Sequence, residues 1–114
     1  MDPLSSLVIN RALDGLTMRH AATAENIANA NSRSYRPVRV TFEESLRTAA
    51  SQGPDAVRAV TPRIEREAAA AFGDETRLDL ELATAAETAN RYAALIELLG
   101  RQMQITRTVI RGGQ

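Results

Sequence analysis

The chain of 114 residues contains no cysteine, no tryptophan and no lysine, and it has one histidine. The lack of cysteine excludes disulfides, thiolate metal ligands and thiol nucleophiles. His20 has no second histidine and no carboxylate at ligand spacing, so we interpret it as a residue at the border of a helix face and predict no metal and no cofactor. The 14 basic residues, all arginine, balance 14 acidic ones. A net charge of zero does not favour nucleic acid or an anionic membrane surface as a partner.

Aromatic residues and long apolar runs are also scarce. The chain has two phenylalanines and two tyrosines, and alanine supplies much of its apolar 44%. Burial of apolar area contributes about 25 cal/mol per Å², so an alanine-rich core predicts thin seams between helices. No run reaches the roughly 18 apolar residues of a membrane helix. The N-terminus lacks the pattern of a cleavable signal peptide, so we expect another route if the protein leaves the cytoplasm.

The last third of the chain carries an apolar repeat with a period of 3.5 residues. The repeat consists of Leu78, Leu82, Ala85, Ala89, Tyr92, Ile96, Leu99, Met103, Thr106 and Ile110. At about 1.5 Å per residue it predicts a helix roughly 50 Å long. The stripe of such a helix packs against a partner helix along its whole length.

The first 29 residues supply that partner helix. Asp2 and Pro3 are typical of a helix start, with an N-cap side chain followed by proline at the first helical position. Apolar residues then recur at helical spacing: Leu4, Val8, Ile9, Ala12, Leu13, Leu16, Ala24, Ile27 and Ala28. We predict an antiparallel seam in which Ile9, Leu13, Leu16 and Ile27 face Ala89, Tyr92, Ile96, Leu99 and Met103, with Ile110 at its far end.

The segment that follows the first helix changes to other patterns. Residues 29–34 are rich in asparagine and serine, which favour turns, and they are predicted to end the helix. Residues 38–42 alternate apolar and polar side chains, which predicts a short, half-buried strand. Thr41 and Glu44 have the spacing of a capping box and predict a short helix that runs to about Ala50.

The rest of the middle segment is predicted to hold two turns and two small strands. The turns are residues 51–55 and 73–76, the strands are residues 57–60 and 63–65, and the alanine-rich residues 67–72 are left open. The predicted fold is therefore mainly α, a long coiled-coil-like antiparallel hairpin with a small irregular, β-containing middle. Its three parts are an N-terminal helix (1–30), the middle segment (31–77) and a C-terminal helix (78–114).

The sequence offers no catalytic constellation. It has no nucleophile elbow, no metal motif and no glycine-rich loop after a strand. The acidic residues of the last third are interpreted as the solvated or intersubunit side of a helix: Asp79, Glu81, Glu87 and Glu97. Residues 111–113 read Arg-Gly-Gly, which we interpret as an ordinary helix ending and not as a nucleic-acid element. We expect neither an enzyme nor a small-molecule substrate.

Residues 24–35 read A-E-N-I-A-N-A-N-S-R-S-Y. This run resembles the signature of flagellar rod and hook proteins, which is close to A-x-N-I-A-N-A-x-T-P-G-Y. The matching positions are Asn26, Ile27, Ala28, Asn29, Ala30 and Tyr35. Residues 78–81 and 90–101 are similar to the C-terminal helix of the smallest rod subunits, the FlgB family of proximal rod proteins, and residues 61–64 (Thr-Pro-Arg-Ile) extend the resemblance to the middle. The chain departs from the family at Arg33-Ser34, where Pro-Gly is usual, and at Ala83-Thr84, where an acidic residue is usual.

The resemblance implies a structural subunit whose terminal helices form the inner wall of a hollow helical tube. This tube, the proximal rod of the basal body, transmits torque and passes exported subunits. The implied partners are other copies of the chain, neighbouring rod subunits, the protein that joins the rod to the membrane ring, and the export gate. The implied location is the periplasmic rod, reached by flagellar type III export without a cleaved signal peptide.

An alternative from another class is a cytoplasmic helical adaptor or regulator. Heptad stripes are common in bundle and dimer cores, so the repeat by itself also fits a protein that binds one partner helix. The location of the protein separates the two hypotheses, because an adaptor stays in the cytoplasm whereas a rod subunit is present in purified basal bodies.

Overall fold

The computed structural model describes residues 1–68 and 74–112. The elements are α1 (Pro3–Ala28), β1 (Val38–Thr41), α2 (Glu43–Gln52), α3 (Pro54–Arg58), β2 (Arg63–Arg66) and α4 (Asp74–Gly112). Two long helices thus flank a middle segment with one two-stranded sheet. The predicted fold class is confirmed.

The helices α1 and α4 pack in antiparallel order. The Met1 ammonium donates to Gln102 Oε1 at 2.6 Å, and Asn26 Nδ2 donates to Glu81 Oε2 at 3.1 Å. The first residues of α1 therefore lie near the late part of α4. Helix α1 begins as predicted, because Asp2 Oδ1 accepts the Ser5 N–H at 2.7 Å. Since α4 has 39 residues and α1 has 26, α4 continues past the start of α1.

The middle segment folds as one antiparallel pair of strands with two short helices. Val38 lies opposite Arg66, and Thr41 lies opposite Arg63. The strands predicted at 38–42 and 63–65 are therefore confirmed as β1 and β2. The strand predicted at 57–60 is wrong, because Val57 belongs to α3, where it is fully buried. Proline at the first position of α3 is pre-set for a helix, and this signal outweighs the β-branched residues.

Three predicted boundaries are also wrong. The turn predicted at 51–55 is a break of one residue, Gly53 with φ +110°, between α2 and α3. The capping box is wrong because Glu43, and not Glu44, reaches back to accept the Phe42 N–H at 3.3 Å. Helix α4 begins at Asp74, so residues 74–76 are not a turn. Gly73 and residues 69–72 lie outside the described residues.

The core forms where the second half of α1 meets β1, α2 and α3. Its buried apolar residues are Leu16, Ala22, Val38, Val40, Phe42, Leu46, Ala49 and Val57. Gly15 is essential to this packing, since a Cβ built on it would lie 2.4 Å from Cδ1 of Phe42. The aromatic ring therefore packs directly on the backbone of α1. The core holds the middle segment against one end of the hairpin.

Candidate functional site

Asn26 lies at the junction of α1, β1 and α4 and is 2% exposed. Its side chain pairs with Val38 as a neighbouring strand would: Oδ1 accepts the Val38 N–H at 2.8 Å and Nδ2 donates to the Val38 carbonyl at 2.9 Å. Oδ1 also accepts from the Tyr35 hydroxyl at 2.7 Å, and Nδ2 donates to Glu81. An amide side chain has two donor hydrogens and two acceptor positions, and all four are used. The cost of burying this polar group is thereby offset.

Glu81 extends the network from α4 to the sheet. This residue is 3% exposed, and its Oε1 lies 2.7 Å from Nη1 of Arg39. Arg39 also pairs with Glu67 Oε1 at 2.6 Å. Partial burial works to lower the pKa of Arg39, and the bonds to Glu67 and Glu81 more than offset that, so its pKa is raised. The interpretation of Glu81 as a solvated or intersubunit residue is wrong.

The signature positions divide between the interior and the end of α1. Asn26 and Ala30 are buried, whereas Ile27, Asn29 and Tyr35 are half-buried, and Ala28 is exposed. Asn29 Nδ2 donates to the Glu25 carbonyl at 2.8 Å, as a second donor beside the Asn29 backbone N–H at 3.1 Å. Burial and then the nearby Glu25 carboxylate raise the pKa of Tyr35, whose hydroxyl donates to Asn26. The signature therefore builds the exit from α1 and its connection to β1.

A second polar junction lies around Arg19 of α1. Its guanidinium donates to the Val40 carbonyl at 2.6 and 3.1 Å and to both carboxylate oxygens of Glu43 at 2.7 Å. The same group lies 4.9 Å from the centroid of the Phe42 ring. Arg91 of α4 approaches Glu43 at 3.2 Å. Hydrogen bonding from Arg19 lowers the pKa of Glu43 to about 2.

Sequence reasoning missed Arg19, Arg39 and Glu43 and misread Glu81. One signal was available for Glu81, because Arg77, Glu81 and Thr88 recur at the 4- and 7-residue spacings of a single helical stripe. All three are buried. A pattern of apolar residues alone does not include a stripe made of polar residues. Nothing in the sequence pointed to the pairing of Arg19 with Glu43, which are 24 positions apart.

Most of the residues predicted for the seam on α1 are buried, and most of those predicted on α4 are exposed. Ile9, Leu13 and Leu16 are buried, and Ile27 is half-buried. Between residues 77 and 112 of α4, the residues buried or half-buried against the rest of the chain are Arg77, Leu78, Glu81, Thr84, Ala85, Thr88, Leu95, Leu99 and Gln102. The predicted residues Ala89, Tyr92, Ile96, Met103 and Ile110 are exposed. The packed stripe lies about one residue earlier, because Glu81 must reach Asn26 and this contact fixes the rotation of α4.

Two open grooves nevertheless bring predicted seam residues beside α1. The first has a volume of about 300 Å³, and its lining includes Leu16, His20, Ala89 and Tyr92. The second, about 340 Å³, is lined in part by Met1, Leu99, Met103 and Ile110. Among residues 1–68 and 74–112 no cluster of acidic and histidine side chains is suited to a metal. His20 is exposed at the edge of a helix face, as interpreted from the sequence.

Helix α4 presents two apolar flanks to solvent. The first is a heptad row formed by Leu82, Ala89, Ile96, Met103 and Ile110. The second is formed by Leu98, Ile105 and Val109. Since each residue of an α-helix is rotated by about 100° from the one before, these three lie on the other side of the stripe that faces α1. Exposure reaches 62% at Ile110 and 68% at Val109. None of the described helices is long and apolar enough to span a membrane.

Comparison with protein-family models gives no match to this chain, and comparison with curated proteins gives none either. The resemblance to flagellar axial proteins therefore depends on the quoted motifs alone. The geometry adds a physical role for those motifs. Asn26 and Tyr35 join the hairpin to its middle segment, and the repeat in α4 leaves an apolar row exposed.

Proposed function

We propose that this protein is a structural subunit of the proximal rod of the bacterial flagellar basal body. Copies assemble through α1 and α4 into a hollow helical tube that transmits torque and lets exported subunits pass. The partners are other copies of the chain, neighbouring rod subunits, the protein at the junction with the membrane ring, and the export gate. The role is mechanical, and the protein reaches the periplasmic rod by type III export without a cleaved signal peptide.

The observation that carries the proposal is the exposed heptad row of α4. Ile96 is 45% exposed and Met103 is 57% exposed, although both belong to a repeat typical of packed helices. Within one hairpin, the stripe of α4 that contains Glu81 and Thr88 is buried, and the row that contains Ile96 stays exposed. Apolar rows of this length on a soluble surface mark an interface. Additional helices from neighbouring subunits would cover the row in a tube.

The two flanks of α4 favour a tube over an adaptor that binds one helix. One partner helix would cover the row that contains Ile96 and leave the flank that contains Ile105 and Val109 exposed. A subunit in the wall of a tube has neighbours on both sides. The presence of apolar residues on both sides of the α1-facing stripe therefore supports the rod subunit, while the cytoplasmic adaptor remains the alternative.

Isolation of basal bodies tests the proposal. A tagged copy expressed in a flagellated bacterium that encodes this protein is expected in the rod fraction of purified basal bodies. Deletion of the gene is expected to abolish rods and motility. If the tagged protein complements motility yet stays in the cytoplasmic fraction, the adaptor is correct and the rod proposal fails.

A matched pair of variants tests the exposed row. Ile96→Asp places a carboxylate in the row, and Ala86→Asp places one at an exposed position of α4 roughly opposite the stripe that faces α1. We expect Ile96→Asp to abolish motility at normal expression and Ala86→Asp to have a smaller effect. Normal motility of the Ile96→Asp strain would contradict the role of this row in assembly.

A further inference from the structure

We propose that the outer edge of β2 pairs in antiparallel order with the same edge of a second copy of this chain. The two-stranded sheets of the two copies then join into one sheet across a two-fold axis at Ile64. Such a contact is isologous and closes on a pair, whereas a tube grows through heterologous contacts. The dimer is therefore a state of the free subunit, and it does not depend on the rod function because it concerns the sheet and not the row on α4.

The free edge of β1 is closed by side chains of α1. Asn26 occupies both the N–H and the carbonyl of Val38, at 2.8 and 2.9 Å. Arg19 occupies the carbonyl of Val40 through two donors, at 2.6 and 3.1 Å. Blocking an edge in this way prevents pairing with another chain. A further strand therefore cannot add beside β1.

The opposite edge of the sheet, along β2, is open, and all four residues of β2 are exposed. In an antiparallel ladder, directly opposed residues either bond to each other or both turn their backbone groups outward. Val38 and Val40 turn theirs toward α1, so their partners Arg66 and Ile64 turn theirs away from β1. Among the described residues, no side chain bonds the Ile64 N–H or carbonyl. These backbone groups are free to pair with another strand.

Charge selects one register for the pairing of two β2 strands. Outward-facing residues must meet, so an antiparallel pair is centred on residue 63, 64, 65 or 66. Centres at Arg63 and Arg66 place two arginines directly opposite each other, and a centre at Glu65 opposes two carboxylates. Like charges placed directly opposite destabilise strand pairing. The centre at Ile64 opposes two apolar side chains instead.

The register centred on Ile64 also brings opposite charges together. Arg63 lies opposite Glu65 of the second copy, and Glu65 lies opposite the Arg63 of that copy. Both are non-hydrogen-bonded pairs, in which opposed side chains approach most closely. Arg63 and Glu65 of one chain already lie 2.6 Å apart, on the face of the strand opposite Ile64. The four charges of the dimer therefore alternate in sign around the axis, and this self-complementarity identifies the second copy as the occupant.

Pro62 fits this register although it has no N–H to donate. The two Ile64 residues exchange a pair of hydrogen bonds, and the Arg66 N–H donates to the Pro62 carbonyl of the second copy. The donor that Pro62 lacks would have faced the Arg66 carbonyl. That carbonyl has a long contact from Arg36 Nη2 of its own chain, at 3.5 Å. The missing donor thus falls where the chain supplies another one.

The two Ile64 side chains cover each other on the inner face of the joined sheet. In the single chain Ile64 is 58% exposed, whereas Val38 and Val40 of β1 are buried. Beside Ile64 lies a groove of about 350 Å³, whose polar part is formed by Glu25 and Arg66, paired at 3.5 Å. The rest of its lining is apolar and consists of Met18, Ala21, Ala22, Val38, Val40 and Ile64. Dimer formation removes the exposed apolar side chain of the sheet from water.

Amide hydrogen exchange on the full chain, observed by NMR, tests the dimer. Strands of four residues make a small interface, which is typical of weak association, so the protein concentration is raised from micromolar to millimolar. We expect exchange of the Ile64 and Arg66 amides to slow at least several-fold over this range. Exchange that does not change with concentration would overturn the proposal.

The same measurement on Ile96→Asp separates this dimer from association through α4. The substitution alters the exposed row of α4 and leaves β2 unchanged, so we expect the same slowing at Ile64 and Arg66. Loss of the effect in Ile96→Asp would overturn the proposal, because the contact would then belong to α4. A failure of the β2 dimer would leave the rod function untouched.

Disulfide trapping tests the register, since the chain has no cysteine of its own. Hydrogen-bonded partners on opposed strands have Cα atoms about 5.5 Å apart, a distance that a disulfide bridges. Under mild oxidation Ile64→Cys should therefore give linked dimers. Addition of Arg63→Glu sets a second acidic side chain opposite Glu65 and should lower the linked fraction at least several-fold. Further addition of Glu65→Arg exchanges the two charges and should restore the linked fraction.

These three chains differ only at exposed positions of β2, where substitutions usually have little effect on stability. Equal linked fractions in all three would overturn the register centred on Ile64, because random collision of thiols does not depend on this charge pattern. The absence of linked dimers from all three would overturn the pairing itself. Exchange on the unaltered chain provides the independent measurement if a variant does not fold.

Discussion

At the scale of the residue, the side-chain amide of Asn26 takes the place that a neighbouring β strand would have. It binds both backbone groups of Val38 and also contacts Tyr35 and Glu81. No other common side chain offers two donors and two acceptors in this planar arrangement except glutamine, which is longer by one methylene. The position is therefore specific for asparagine in this fold.

Asn26→Ala should destabilise the fold strongly. The substitution leaves the Val38 N–H and carbonyl without partners in a buried site, and each unsatisfied group costs about 1 to 3 kcal/mol. Asn29→Ala is the matched control, since it removes one exposed bond to the Glu25 carbonyl, which keeps its bond from the Asn29 N–H. Urea denaturation should show a larger loss for Asn26→Ala. Equal losses would contradict the central role of Asn26.

Asn29→Ala should act mainly on assembly. The change affects the exit from α1, where it removes the side-chain donor to the Glu25 carbonyl and leaves the Asn29 backbone N–H as the donor there. If the proposed rod function is correct, the sedimentation of assembled subunits and the yield of rods in purified basal bodies should fall while the free chain stays folded. We expect no loss of any chemical activity, and loss of turnover of a substrate would contradict the structural role.

Gly15→Ala should destabilise the protein although alanine favours helices. The new Cβ would lie 2.4 Å from the Phe42 ring, and overpacking of this kind typically costs about 1 to 3 kcal/mol. Gly100→Ala is a sharp control because its added Cβ meets no described atom within 4 Å beyond its chain neighbours and the adjacent backbone of its own helix. That variant should gain up to about 1 kcal/mol from helix propensity. Thermal unfolding of the two variants should therefore shift in opposite directions.

Glu43 should make the stability depend on pH in the acid range. Its pKa falls from an ordinary 4.5 to about 2 because Arg19 binds the carboxylate. A depressed pKa means that the unfolded chain takes up the proton first, so stability is complete above about pH 4.5 and is lost as the pH falls toward 2. The unfolding free energy of Glu43→Gln should lack this contribution. Parallel pH profiles of the variant and the unaltered protein would contradict the Arg19 contact.

At the scale of the element, α4 has two stripes of different exposure. The stripe that contains Glu81 and Thr88 is buried within the hairpin, and the heptad row beside it is exposed and, in the proposed assembly, would contact neighbours. This division changes what a substitution in the row is expected to do. A carboxylate at Ile96 is not buried in the free chain, where the residue is 45% exposed.

Ile96→Asp should therefore leave the free subunit nearly as stable as before. Substitutions at exposed positions usually change stability by about 0.5 kcal/mol or less. Its effect should appear only on assembly, where neighbouring helices would bury the charge at a cost of several kcal/mol. Circular dichroism of the monomer together with sedimentation of assemblies separates the two effects. A large loss of monomer stability would place Ile96 inside the hairpin seam.

At the scale of the whole molecule, the shape is an elongated body of 64 × 26 × 14 Å. The compact part is the core around Phe42 and Val57, while the late part of α4 exposes most of its side chains. Ordering each residue costs about 1 to 2 kcal/mol in lost backbone entropy. A half-exposed helix buries little apolar surface, so burial offsets only part of this cost. Neighbours that bind the folded form would stabilise it by mass action.

The free subunit should consequently be marginally stable, with α4 the least protected element. We expect dilute protein to melt gradually and below about 60 °C, and proteolysis to cut first between residue 103 and the end of α4. Assembly should raise the melting temperature. A sharp, cooperative melt of dilute monomer above about 60 °C would show that the hairpin does not need neighbours.

The sequence by itself determined the two long helices and the strands around Val38 and Ile64. These features follow from local spacing: the helical recurrence of apolar residues, the Asp2-Pro3 start and the alternation in the middle segment. The same local reasoning failed at Val57, where proline at a helix start mattered more than β-branched side chains. Periodicity placed the α4 stripe within one residue of its packed position.

Only the tertiary structure decided which side of α4 faces α1 and which polar residues are buried. The bond between Asn26 and Glu81 joins residues 55 positions apart, and the Arg19 pair with Glu43 spans 24. The partner in such a contact cannot be read from the spacing within one segment, because each contact depends on two elements meeting at one point. They rotate α4 so that polar side chains enter the joint and the apolar row turns outward. The hydrophobic pattern of α4 decides that this helix packs against a partner, whereas hydrogen bonds between distant residues decide which side of the helix faces α1.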